Sequence, residues 1–148
     1  MTRTESHSTF PIVLAYCALA ALFFAPHLLG LSAFLEGDFT RHYLPYSFFQ
    51  QKSLLAGNFP VWNPHVNSGH PFLADTESAV LYPVSNILLI ITWFSRTVAG
   101  RLYWLQFEAL IHIVLACCFT SLLVHRLTGR RMAGFAAGLV FGFSGYLT

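Results

Sequence analysis

Hydrophobic and polar positions divide the chain into apolar runs separated by one polar, turn-rich stretch. Residues 10–35 carry no charged side chain, and residues 102–125 carry only Glu108. Each run exceeds the roughly 20 residues that a bilayer-spanning helix requires. Pro26 and Gly30 predict a kink or an end within the first run. Residues 132–148 begin a third apolar helix, in which Gly134, Ala137, Gly138, Gly142 and Gly145 recur at helical spacing. Such small residues suit close packing against a neighbouring helix.

Between the first two runs the pattern changes. Asp38 stands where an N-cap would open a helix over 39–56, and Gly57 would close it. Aromatic and apolar residues (Phe39, Tyr43, Leu44, Phe48, Phe49) alternate there with Arg41, His42, Gln50, Gln51 and Lys52, and Pro45 predicts a bend. An aromatic-rich amphipathic helix of this kind suits the membrane–water interface. Pro60, Asn63-Pro64, Ser68-Gly69 and Pro71 punctuate a loop over 58–71. Residues 79–94 are apolar but broken by Tyr82-Pro83 and Ser85-Asn86. Their uninterrupted part, 87–94, is too short to span and predicts an interfacial or re-entrant helix.

Charge sets an orientation. Arg126, Arg130 and Arg131 follow the second run directly, which marks that end as cytoplasmic. The chain then divides into a cytoplasmic tail (1–9), a first span (10–35) and an extracytoplasmic loop with interfacial helices (36–101). A second span (102–125), a cytoplasmic loop (126–131) and the start of a third span (132–148) follow. A secretory signal is the rival for the first run, but its apolar region extends only about 7–15 residues. Tyr16 before Cys17 also departs from the small residue a lipoprotein site needs.

Composition supports a membrane protein. The 148 residues are 55% hydrophobic and 9% charged, against about 25% charged in soluble domains. A net charge of +2 without a basic run excludes nucleic acid as a partner. Cys17, Cys117 and Cys118 all lie in apolar runs, at no zinc or disulfide spacing, and read as packing residues.

Four of the six acidic residues (Glu36, Asp38, Asp75 and Glu77) gather in the loop. Carboxylates concentrated at one membrane face are costly and usually serve chemistry or recognition. Asp38 is a candidate general base or metal ligand, and equally a helix cap. Asp75 and Glu77 are candidates for positioning substrate or a divalent metal, or a solvated loop edge. His42, His65 and His70 could add nitrogen ligands, although their spacing matches no zinc signature. Trp62, beside Asn63, could stack on a sugar or anchor at headgroup level. Arg41 and Lys52 are candidate phosphate contacts or ordinary headgroup neighbours. Glu108 and His112 stand four apart on one helical side and form an ionisable pair within an apolar run.

Taken in order, the motifs resemble the opening of the bacterial YfhO-type membrane proteins. They are Gly37-Asp38, Tyr43-Leu44-Pro45, Leu55-Ala56-Gly57-Asn58-Phe59-Pro60-Val61-Trp62-Asn63-Pro64, Gly69-His70-Pro71-Phe72-Leu73-Ala74-Asp75 and Leu81-Tyr82-Pro83-Val84-Ser85-Asn86. Leu127-Thr128-Gly129 and Phe141-Gly142-Phe143-Ser144-Gly145 continue the series. Val84-Ser85 departs from the Pro-Leu-Asn-like continuation expected after Tyr82. The family looks like part of the GT-C superfamily of multi-span glycosyltransferases, whose members are several times longer.

The resemblance implies an all-α, multi-pass protein of the bacterial cytoplasmic (inner) membrane, with its N-terminus in the cytoplasm. It implies transfer of a sugar from a polyprenyl-phosphate donor to a cell-envelope acceptor on the outer face. Asp38 would be the catalytic base. Arg41, Lys52, Trp62, Asn63, Asp75 and Glu77 would bind substrate, and a divalent metal is a candidate cofactor. Membrane lipid and further C-terminal helices of the same protein would be partners, and 148 residues alone would not suffice for transfer. The alternative is a non-enzymatic membrane scaffold or transport-related subunit, in which the acids cap helices and solvate loop edges.

Overall fold

The computed structural model describes residues 10–35 and 37–144, and the tail 1–9, Glu36 and the end of the third apolar run (145–148) lie outside them. Within the described residues every regular element is helical and there is no strand. One isolated antiparallel bridge joins Asn63 and His70. The helices are α1 (Phe10–Phe23), α2 (Ala25–Leu28), α3 (Leu44–Leu55), α4 (Pro83–Ile91), α5 (Val98–Thr128) and α6 (Arg131–Gly142). Contacts divide the chain into two compact units, Leu29–Glu108 and the combination of Met1–Leu28 with Ala109–Thr148.

The first apolar run is not one continuous helix. Pro26 has no N–H to offer the Leu22 carbonyl and its ring crowds that turn, so α1 stops at Phe23. The chain continues as the four-residue α2 and leaves it through Gly30 at φ +70°. At 14 residues α1 measures about 21 Å, less than the ~30 Å hydrocarbon thickness. In contrast α5 extends over 31 residues, beyond the 102–125 expected, and is the one described helix long and apolar enough to cross a membrane. The third run forms α6 over 12 residues.

Within the unit that contains α1 and α6, glycine spacing sets the packing. Gly134, Gly138 and Gly142 fall four apart on one face of α6, and all three are buried. A Cβ at 134 would stand 2.6 Å from the Ser121 carbonyl, and one at 138 would stand 2.6 Å from the Cys117 carbonyl. The stripe therefore lets backbone meet backbone. Tyr16 of α1, fully buried, donates its hydroxyl to the Phe135 carbonyl (3.0 Å) and stacks on the Phe135 ring at 5.2 Å.

The unit Leu29–Glu108 builds a separate core under the polar loop. Tyr46, Phe72 and Val80 form its centre, with Phe49 and Val66 packed against them. The Phe72 ring meets Tyr46 and Phe49 edge-on at 5.0 and 4.9 Å. The Pro45 bend is realised as a turn of π-helix over Phe39–Tyr43, entering α3 with Pro45 in its first turn. Proline leaves the Arg41 carbonyl without its α-helical donor, and the widened turn bonds Leu44 N–H to Phe39 O instead.

Amides then fasten α3 to α4. Gln50 Nε2 donates to Asn86 Oδ1 at 2.9 Å, and Asn86 Nδ2 donates to the Val80 carbonyl at 2.8 Å. Gln51 Nε2 reaches the Thr92 carbonyl at 3.5 Å. Arg101, the largest fully buried side chain, donates from Nη1 to Thr92 Oγ1 at 3.4 Å. Ser85 donates to Glu108 Oε1, and the Gln106 side chain accepts from the Phe34 N–H at 2.5 Å. The 79–94 apolar stretch forms the shorter helix α4, because Tyr82-Pro83 starts it and Thr92 ends it.

Candidate functional site

The loop after Asn58 is held by local bonds. Asn63 and His70 exchange backbone hydrogen bonds at 2.8 Å each, closing the segment between them into a hairpin-like turn. Asn67 and Ser68 take positive φ there, followed by Gly69 at φ +120°, a region that excludes side chains. The Trp62 indole lies over Gly69, so that a Cβ would stand 2.8 Å from its Cε2. Two short 3₁₀ turns, Phe72–Ala74 and Thr76–Ser78, return the chain towards α4.

That route brings two histidines, two carboxylates and a tyrosine together. His70 Nε2 lies 2.8 Å from Asp75 Oδ2. Asp75 Oδ1 accepts the Glu77 N–H at 2.9 Å, and the Tyr46 hydroxyl lies near enough to this carboxylate to influence its titration. His42 Nε2 stands 2.9 Å from Glu77 Oε2, at ion-pair range without a directed hydrogen bond. The His42 ring lies 4.2 Å from the Tyr46 ring, and the His70 ring 6.2 Å from it on centroids. Tyr46 thus stands at the centre of the cluster and is also part of the hydrophobic core.

The electrostatics follow from these donors. The Glu77 backbone N–H, against the opposing effect of burial, holds the Asp75 carboxyl below the ordinary aspartate range, and His70 and Tyr46 add to it. Burial, then the hydrogen bond to Asp75 and its negative charge, push the Tyr46 hydroxyl up. Tyr46 therefore remains a proton donor while Asp75 remains an acceptor. An ionised Asp75 requires Nε2–H on His70, which leaves the lone pair of the neutral ring on Nδ1. A carboxylate that orients an imidazole in this way supplies a general base on the imidazole's far nitrogen.

The other sequence candidates are placed as follows. Asp38 is exposed and does not cap through its side chain. Its own backbone is already right-handed (φ −71°, ψ −17°), whereas a cap needs an extended residue to aim its oxygen back at the helix. Asp75 is the residue that caps, for the Thr76–Ser78 turn. Arg41 is exposed on the π-turn beside His42. Lys52 lies six residues beyond Tyr46 on α3, about 9 Å along the axis and away from the cluster. Trp62 is 56% exposed and covers Gly69, whereas Asn63 is buried with Oδ1 accepting the His65 N–H at 3.0 Å. His65 itself is exposed and meets Phe49 edge-on.

The central position of Tyr46 is the feature that sequence alone does not predict. The only signals for it are His42 four residues before and the His70–Asp75 spacing across Pro71. Among the described residues, no group of three His, Cys, Asp or Glu side chains is placed to hold a metal ion. The candidate divalent cation therefore has no complete ligand set within these residues. Comparison with protein-family models, with curated proteins and with solved structures returns no match to this chain.

Proposed function

We propose that the chain is the N-terminal part of a membrane glycosyltransferase of the YfhO type. It would transfer a sugar from a polyprenyl-phosphate donor to a cell-envelope acceptor outside the cytoplasmic membrane. The observation that carries this reading is the His70–Asp75 dyad, set on a loop with its own core. A polar loop that only joined two apolar helices would need neither the core nor an oriented imidazole.

In this reading the acceptor hydroxyl loses its proton to His70 Nδ1 as its oxygen attacks the anomeric carbon. The bond from that carbon to the donor phosphate breaks, and the phosphate leaves with its electron pair. Asp75 fixes the ring and stabilises the imidazolium that forms. Tyr46 holds Asp75 in place, and Arg41 is the cation available to the departing phosphate. Asp38, exposed on the same loop, is the alternative base. Multi-pass topology, a cytoplasmic N-terminus and further helices to complete the donor pocket belong to this proposal through the motif order that resembles the family.

The test is sugar transfer by the complete protein in its own membranes, comparing H70A and D38N at matched expression. Loss of about 100-fold or more in H70A, with D38N active, supports the dyad as base. Loss in D38N with H70A active moves the role to Asp38. Full activity in both removes the two residues from the mechanism, whereas no transfer by the wild-type protein removes the enzymatic reading and leaves a scaffold or transport-related subunit.

A further inference from the structure

A second feature of the Leu29–Glu108 unit lies on the α3–α4 face, away from the dyad. Phe48, Gln51, Lys52, Leu55 and Arg96 line a cleft of about 220 Å³. Gln51 and Leu55 also form the wall of an adjoining cleft of about 280 Å³, whose remaining lining (Leu54, Leu89, Ile90 and Trp93) is apolar. The two share that wall, so together they form one groove with a cationic end and an apolar end.

The cationic end is fixed in place. The Arg96 guanidinium lies over the Trp93 ring at 5.6 Å from its centroid, so the tryptophan holds it at the boundary between the two halves. Lys52 faces the same cleft from α3. Gln51 between them is buried and directs its amide to the Thr92 carbonyl, which closes the floor of the groove. No acidic side chain lines either half.

The surroundings of the groove show which medium it meets. On α4 and just after it, Ile87, Ile90, Ile91 and Phe94 are each between 58% and 70% exposed. An apolar helical face beside cationic side chains has the composition of an element that lies in the plane of a membrane interface. Two cations set above an apolar channel are complementary to an anionic headgroup followed by a hydrocarbon tail. A free anion would have no use for the apolar half, and a zwitterionic lipid would bring its own cation close to Lys52 and Arg96.

We propose that this groove binds an anionic glycerophospholipid, with its phosphate between Lys52 and Arg96 and one acyl chain along Leu54, Leu89 and Ile90. None of the residues of the site belongs to the His70 cluster, and Lys52 alone is also a candidate substrate contact in the glycosyltransferase reading. It would seat the loop unit on the anionic lipid of the leaflet it faces.

The experiment uses the full chain purified in a neutral detergent, with lipid binding followed by native mass spectrometry. Phosphatidylglycerol and phosphatidylcholine of identical acyl chains are titrated separately against the wild-type chain and the K52Q/R96Q variant. The expected result is binding of phosphatidylglycerol at concentrations at least tenfold lower than phosphatidylcholine, with that preference lost in the variant. Each cation near an anionic surface accounts for about a fivefold change. The single variant K52Q, which leaves the Arg96–Trp93 contact intact, should lose part of the preference with unchanged helicity.

Equal binding of the two lipids, or a preference unaffected by both variants, overturns the proposal. Displacement of phosphatidylglycerol by millimolar inorganic phosphate alone would overturn it in favour of a free-anion site. Binding of a polyprenyl phosphate with no phosphatidylglycerol binding would overturn it in favour of a donor subsite. Neither outcome depends on whether H70A abolishes transfer.

Discussion

His70 and Asp75 meet through Nε2 and Oδ2 at 2.8 Å, five residues apart across the first 3₁₀ turn of the loop. The pairing is local in sequence, but what holds it is not. Tyr46, on α3, lies close enough to influence the same carboxylate and packs with Phe72 in the core. The chemistry of the loop and its stability therefore share one carboxylate.

Acid should weaken the loop unit through Asp75. Its folded pKa lies below the ordinary aspartate value of 3.8. Its contribution is therefore complete above that value and is lost as pH falls below it through the lowered folded value. Urea midpoints of the full chain, read by tryptophan fluorescence, should fall in that acid window. Asp75→Asn should abolish this part of the pH dependence and cost about 1–3 kcal/mol at neutral pH. An unchanged acid limb in the variant would mean that another group controls it.

The amide latch should show strong coupling. Asn86→Ala removes the 2.8 Å bond to the Val80 carbonyl and leaves Gln50 only its longer 3.5 Å bond to that same carbonyl, at a cost of about 1–3 kcal/mol. Replacing Gln50 and Asn86 together should cost clearly less than the sum of the two single changes, because they share a partner. Strict additivity of the three midpoints would show that the two amides act separately.

Gly69→Ala should displace Trp62. At φ +120° the position disfavours any Cβ, and the new atom would meet the indole at less than a contact distance. With Trp93 and Trp104 replaced by phenylalanine, Trp62 emission should move to longer wavelength, and stability should fall by about 1–3 kcal/mol. An unchanged spectrum would mean that the indole does not rest on Gly69.

On α6, Gly138→Ala and Gly134→Ala should each lower the melting temperature by several degrees. The added carbon would stand 2.6 Å from a backbone carbonyl, which cannot rotate away as a side chain can. Overpacking of this kind costs about 1–3 kcal/mol. Ala136, exposed on the other side of α6, should accept leucine without loss.

Elements set by local chemistry were legible from residues alone, and elements set by distant contacts were not. The second apolar run, the aromatic-rich helix that became α3, the punctuation of the loop and the turn at Gly57 all follow from neighbouring side chains. Proline predicted the break after α1 and the bend before α3, but not that the bend would take π geometry. Asp38 shows the limit most clearly. Its type and place fit a cap, yet the π-turn draws its backbone into helical angles and the cap passes to Asp75. The grouping of Tyr46 with His70 and Asp75 depends on a fold-back of more than twenty residues, which no spacing rule encodes.

The two ends of the loop unit differ in the kind of bond that holds them. At the latch, Gln50, Gln51 and Asn86 are neutral amides bonded to carbonyls, so neither ionic strength nor moderate changes of pH alters their strength. At the dyad every bond involves a group that gains or loses a proton. Acid strong enough to protonate Asp75, below the ordinary aspartate range, should therefore loosen the His70–Asp75 contact while α3 and α4 remain fastened. The unit joins bonds indifferent to solution conditions at one end to an acid-sensitive contact at the other.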